Sequence, residues 1–180
     1  MDDLQPEFRR RAVEMTSQLS AAEREALLVK CWMSHDARWF MAVAQACGIE
    51  TANKLNQAAA RGVGKVEAQR IGHALQLPPV KTLDDYLLRQ EQMISLLGPE
   101  LLDYGVIKTG EDACQMRVRR CFAHDNAERA GILDQYECGI FARVAGWLDA
   151  AGVGYELQPE LGKCLKARGQ ECAWAITVRT

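Results

Sequence analysis

Between Glu7 and Cys47 the chain holds neither glycine nor proline. These are the two residues that break or punctuate helices, so a stretch of that length without either one admits long helices and little else. The rest of the chain is built differently. Of the 14 glycines, four fall in the first 90 residues and ten in the last 90. The sequence therefore predicts a helical front and a back half with frequent turns.

Local signals divide the front. A first helix is expected from Pro6 to Gln18, with proline at the tolerated first position. Ser20 and Glu23 form a capping box, in which each side chain satisfies the other's orphan backbone N–H. The second helix carries Leu27, Leu28, Cys31, Trp32, Trp39 and Val43 and stops at Gly48. A third runs from about Glu50 to Leu75 with Ala52, Leu55, Ala59, Val63 and Val66 at helical spacing, and Pro78-Pro79 ends it. Thr82-Leu-Asp-Asp85 opens a fourth, which Gly98-Pro99 closes.

After residue 100 the period changes. Cys114, Met116 and Val118 alternate with Gln115, Arg117 and Arg119, the two-residue period of a half-buried strand. Leu102 to Thr109 reads as its hairpin partner across Gly110-Glu-Asp112. Residues 125–133 read as a short helix or loop, and Cys138 to Ala151 as an amphipathic helix closed by Gly152. Val153 to Gln158 and Ala173 to Val178 read as two more strands. The expected class is α+β, a helical N-terminal half packed on an antiparallel sheet with crossing helices. The expected regions are 1–98 (helical) and 99–180 (α+β), together forming one compact domain.

Charge excludes some functions. Lys+Arg number 22 and Asp+Glu 24, a net −2, which lacks the basic footprint of a nucleic-acid binder or a membrane-surface protein. No apolar run approaches the ~20 residues of a bilayer span, and MDDLQPEFRRR has no signal-like apolar core. A soluble, cytoplasmic protein is expected. Its seven cysteines would then be reduced, where a patterned set points to metal or reactive chemistry more than to disulfides.

Cys121, Cys138, Cys164 and Cys172 are separated by 16, 25 and 7 residues. Four thiolates suit tetrahedral zinc, although no CxxC knuckle is present. Cys31, Cys47 and Cys114 lie in regular apolar patterns and read as small buried hydrophobes. Cys164 and Cys172 instead flank the polar turn Leu165-Lys-Ala-Arg-Gly-Gln-Glu171, where a buried apolar thiol has little reason to be.

The segment Cys138-Gly-Ile-Phe-Ala-Arg-Val-Ala-Gly146, with Gly162-Lys-Cys164 and Arg168-Gly-Gln-Glu-Cys172-Ala-Trp174, resembles the ending of 4-vinyl reductase-type domains. The resemblance covers residues 100–178 and implies zinc on Cys138, Cys164 and Cys172, with a glutamate three residues before the middle cysteine. Leu161 stands there instead and Glu160 one place earlier, so Cys121 and Glu160 compete for the fourth position and His124 is a third candidate. The front segment Cys31-Trp-Met-Ser-His-Asp-Ala-Arg-Trp-Phe40, with Gly48-Ile-Glu-Thr-Ala52-Asn-Lys-Leu-Asn56, resembles a bacterial family labelled L-2-amino-thiazoline-4-carboxylic acid hydrolase-like. That resemblance implies the same kind of small-ligand-binding fold.

On a helix, His35 and Trp39 share a face at i, i+4, as do Trp32 with Asp36 and Asp36 with Phe40. An imidazole beside a carboxylate among aromatics could orient a substrate or move a proton. The competing reading puts the aromatics in a core and Asp36 in solvent beside Arg38. Asn53 and Asn56 on the next helix could add polar contacts or be solvated. His73 and His124 read as surface or structural histidines. Gly62-Val-Gly64-Lys65 lacks the strand and spacing of a phosphate loop, and no serine-hydrolase elbow or HExxH helix is present.

The leading expectation is a small-molecule-binding protein with a cysteine-rich zinc site at Cys121, Cys138, Cys164 and Cys172. Its ligand pocket is expected to be lined by Trp32, His35, Trp39, Phe40 and Asn56. One alternative is a hydrolase opening a thiazoline-like or amide-like bond, with His35 and Asp36 as acid–base pair. Another is a helical interaction protein. A homodimer is expected because Leu27, Leu28, Val29, Trp32 and Met33 place apolar side chains on more than one helix face.

Overall fold

The computed structural model describes residues 5–179. Its elements begin with α1 (Gln5–Thr16) and α2 (Ala21–Cys47). The capping box between them is in place. The Glu23 carboxylate accepts the Ser20 N–H at 2.8 Å, and Ser20 Oγ accepts the Glu23 N–H at 3.2 Å. A single residue, Gly48, separates α2 from α3 (Ile49–Ala74), and its φ of 86° is open to glycine at little cost. α4 (Leu83–Leu97) starts on a second capping box, in which Thr82 Oγ1 accepts from Asp85 N–H and the Asp85 carboxylate accepts from Thr82 N–H. No helix among the described residues is long and apolar enough to cross a membrane.

The back half follows with β1 (Leu102–Lys108), β2 (Ala113–Cys121), α5 (Phe122–Arg129), α6 (Ile140–Ala151), β3 (Gly154–Gln158) and β4 (Ala173–Arg179). The strands form one antiparallel sheet in the order β1-β2-β4-β3. Met116 is opposite Val106 on one side and Trp174 on the other, and Leu157 pairs with Ile176. The alternation expected in β2 is realised: Cys114, Met116 and Val118 are buried, as are Trp174, Ile176 and Val178 of β4. Phe141, Val144 and Leu148 of α6 complete this core. The Phe141 ring stacks on Trp174, with centroids 4.1 Å apart and planes within 9°. The fold is α+β.

α3 and α6 cross unusually closely. A Cβ on Gly64 would stand 2.3 Å from the Arg143 carbonyl oxygen, and one on Gly146 2.1 Å from that of Arg61. Gly64, unremarkable as part of a phosphate loop, is there to let two helix backbones touch. The crossing also holds a half-buried ion pair. Arg143 grips Glu67 through both guanidinium edges, Nε at 2.8 Å, while Trp147 Nε1 donates to the same carboxylate at 3.4 Å. Desolvating a charge is costly unless its partner is fixed, and here the partner is bidentate.

The chain forms two compact units, residues up to Trp39 and residues from Phe40 onward. The division between them falls inside α2, and α3 packs along α6 and so belongs with the sheet. Two expectations are corrected. Cys31 and Cys47 are exposed, whereas Cys114 is buried as expected. The helix read from Cys138 begins at Ile140, since residues 136–138 are engaged in backbone pairing with residues 162–164.

Candidate functional site

Short backbone contacts bring together four cysteines that the sequence keeps far apart. β2 ends at Cys121, which is also the residue that caps α5. Past α5, the Cys138 N–H donates to the Gly162 carbonyl at 2.8 Å and the Cys164 N–H to the Tyr136 carbonyl at 3.1 Å, around an isolated bridge between Glu137 and Lys163. That two-sided link sets Cys138 and Cys164 side by side. Cys172 is drawn to β2 by its carbonyl, which accepts from the Val118 N–H at 2.8 Å. The clasp is anchored from α3. Buried Asn53 donates to the Gln135 carbonyl at 2.7 Å and accepts from the Glu137 N–H at 3.1 Å.

All four cysteines line one apolar cavity of about 20 Å³, with His124, Tyr136, Phe141, Lys166 and Trp174 among its other walls. That is room for an ion or one water, not for a metabolite. Cys138 feels Cys121, Cys164 and Cys172 electrostatically, Cys172 feels Cys121 and Cys164, and Cys121 feels Cys164. Burial pushes the Cys138 thiol up to about 12 and Cys172 up to about 11, and it raises Cys121 as well. The neighbouring thiols add to each shift, because a first thiolate opposes a second.

Hydrogen-bond donors nevertheless face these sulfurs. Phe141 N–H points at Cys138 Sγ at 3.5 Å, and the N–H groups of His124 and Ala123 pull the Cys121 value down. The Trp174 indole N–H is buried without a hydrogen-bond partner and lies beside Cys172, whose pKa it lowers. A buried donor left unpaired costs about 1–3 kcal/mol, so its position favours an anionic sulfur there. Among the described residues, no three His, Cys, Asp or Glu side chains are gathered closely enough to close on a metal ion.

Of the competing fourth positions, Cys121 and His124 line the cavity, whereas Glu160 is exposed and does not. His124 Nδ1 stands 3.1 Å from Asp125 Oδ1. Tyr136 and Trp174 are the site residues that reasoning from cysteines alone overlooks. Tyr136-x-Cys138 and Cys172-x-Trp174 carry the signal, since alternate residues of an extended chain share a face.

The aromatic segment on α2 is distributed otherwise. His35 and Asp36 are exposed, Trp39 is 46% exposed and Trp32 is half-buried. Phe40, in the larger unit, is buried with its ring edge-on to Tyr136, centroids 5.8 Å apart. Asn56 is half-buried against Gly139 and Tyr136, and lowers the tyrosine's otherwise raised pKa. Phe40 and Asn56 thus reach Tyr136, one wall of the cysteine cavity.

Residues 17–178 match a family of unknown function, DUF6125, and the chain belongs to that family. No curated protein matches it.

Proposed function

We propose that this member of the family of unknown function DUF6125 is a small-molecule-binding protein whose sheet-bearing unit is fastened by one zinc ion on Cys121, Cys138, Cys164 and Cys172. The observation that carries the reading is the convergence of four cysteines, from two separate connections and a strand end, on one ion-sized cavity. Three half-buried thiols with raised pKa values, facing N–H donors and one unpaired indole N–H, form with Cys164 a donor set suited to a soft divalent cation. When bound, zinc supplies the positive charge that makes thiol deprotonation favourable. Four protein sulfurs make a closed, structural site rather than one with an open position for water.

A second cavity, about 40 Å³ and lined by Met116, Phe122, Arg143 and Trp147, shares Ile140. It too is smaller than a metabolite needs, and its Arg143 is held by Glu67, so the ligand part of the reading rests on the resemblance of the sequence.

Native mass spectrometry with elemental analysis tests both parts. The expected result is about one zinc per chain, released with proton uptake on acidification because the thiolates must protonate as the metal leaves. Cys172→Ser should lose the metal and destabilise the chain by about 3 kcal/mol, whereas Cys47→Ser, at an exposed site, should do neither. Metal-free protein from a chelator-free preparation, with Cys164 and Cys172 alkylated freely in the native state, would sink the zinc site.

A further inference from the structure

None of residues 6–39 is buried, yet they carry large apolar side chains. Phe8 and Met15, seven residues apart, lie along one face of α1 at 59% and 69% exposure, and Leu19, 38% exposed, follows in the turn between α1 and α2. On α2, Leu28 and Trp39 lie eleven residues apart on a similar stripe, with Leu27 at its margin, at 69%, 46% and 53% exposure. α1 has only 12 residues, and an isolated helix of that length is marginal in water. Such a helix draws its order from packing.

We propose that this face of α1 and α2 is covered by a second copy of the same chain. The area fits. Large side chains expose roughly 150–250 Å² each when free, so these six at about half exposure offer on the order of 600 Å². A standard interface buries about 800 Å² per partner, which these side chains and their polar rim supply. The charges fit as well. Between Glu7 and Trp39 stand six basic and five acidic residues, a mixture of both signs that can meet its own copy without net repulsion. A one-signed surface, suited to a polyanion or a strongly charged partner, is not what this segment carries.

Sedimentation equilibrium of the full chain at tens of micromolar decides the question. The wild type is expected at about 40 kDa, twice the 20.1 kDa chain mass. The double variant Met15→Glu, Leu28→Glu is expected near 20 kDa, its dissociation constant raised at least about 100-fold, while Leu88→Glu, exposed on α4, stays dimeric. A wild type of 20 kDa, leaving the face to a different protein or to solvent, overturns the proposal. So does a double variant that remains at 40 kDa, or a Leu88→Glu variant that does not. Should the double variant fail to fold, hydrogen exchange of the wild type takes its place. Protection of residues 5–39 that falls on dilution supports the dimer, and protection independent of concentration removes it.

Discussion

The two units of this chain use the same helix-forming chemistry to different ends. In residues 6–39 long helices are specified locally, by a capping box and by the absence of breakers, and none of their residues is buried. From Phe40 onward, helices of ordinary propensity are held by what they touch: α6 alone buries Phe141, Val144, Trp147 and Leu148. Propensity decides that a helix forms, and burial decides how much it costs to lose. The first unit has the former without the latter within a single chain.

Three tests sharpen or break that contrast. The largest effect is expected at the α3–α6 crossing. Gly146→Val would force side-chain atoms into the Arg61 carbonyl and the Lys65 N–H, at 2.1 and 2.9 Å from the first added carbon. Backbone cannot move aside as a flexible side chain can, and a loss of about 4 kcal/mol or more is expected in urea unfolding. Gly62→Ala, with open space around its Cβ, should instead be neutral or stabilise by up to about 1 kcal/mol.

Next comes a matched pair. Leu148→Ala, at a site with no solvent exposure, should cost about 2–5 kcal/mol. Leu28→Ala, 69% exposed, should cost no more than about 0.5 kcal/mol when measured at dilutions where no dimer persists. Equal losses at the two positions would erase the distinction between the units.

The smallest effect depends on pH. Arg61 donates to both oxygens of Asp149, at 2.7 and 2.9 Å, and the Tyr155 hydroxyl donates to it at 2.9 Å. The Arg61 bond, more than the tyrosine's, holds the Asp149 pKa below the ordinary carboxylate range. A depressed carboxylate contributes stability that is complete above its unfolded pKa near ~3.9 and lost as pH falls through the folded value. With Arg61 half exposed, the contribution is about 1 kcal/mol. Arg61→Gln should remove it at pH 7 and flatten the stability curve below pH ~4. An unchanged acid limb would assign the shift to something other than this pair.

Much of the fold was legible because its signals are local. Ser20 with Glu23, Thr82 with Asp85, and the Pro78-Pro79 and Gly98-Pro99 breaks act within a turn of the backbone, and the helices end where they say. The β2 alternation was legible for the same reason. The α3–α6 contact was not, since Gly64 and Gly146 have meaning only once two distant helices meet. Cys31 and Cys47 sit in apolar patterns like that of Cys114, and only the tertiary structure separates them by burial. Within the site, the four cysteines were readable as a set. The Asn53 clasp spans more than eighty residues and left no local trace, and Tyr136 and Trp174 show only in their two-residue spacing from cysteines.

The strand order has a consequence for the chain while it is being made. β3 pairs with β4 alone, and β2 has β4 as its inner neighbour, yet β4 leaves the ribosome after both. Until β4 joins the sheet, the chain presents one unpartnered strand and one half-paired hairpin. Unpaired edges of this kind recruit other chains. The arrival of β4 closes both edges in a single insertion, and the same event delivers Cys172, the last thiol of the cluster, to its three companions.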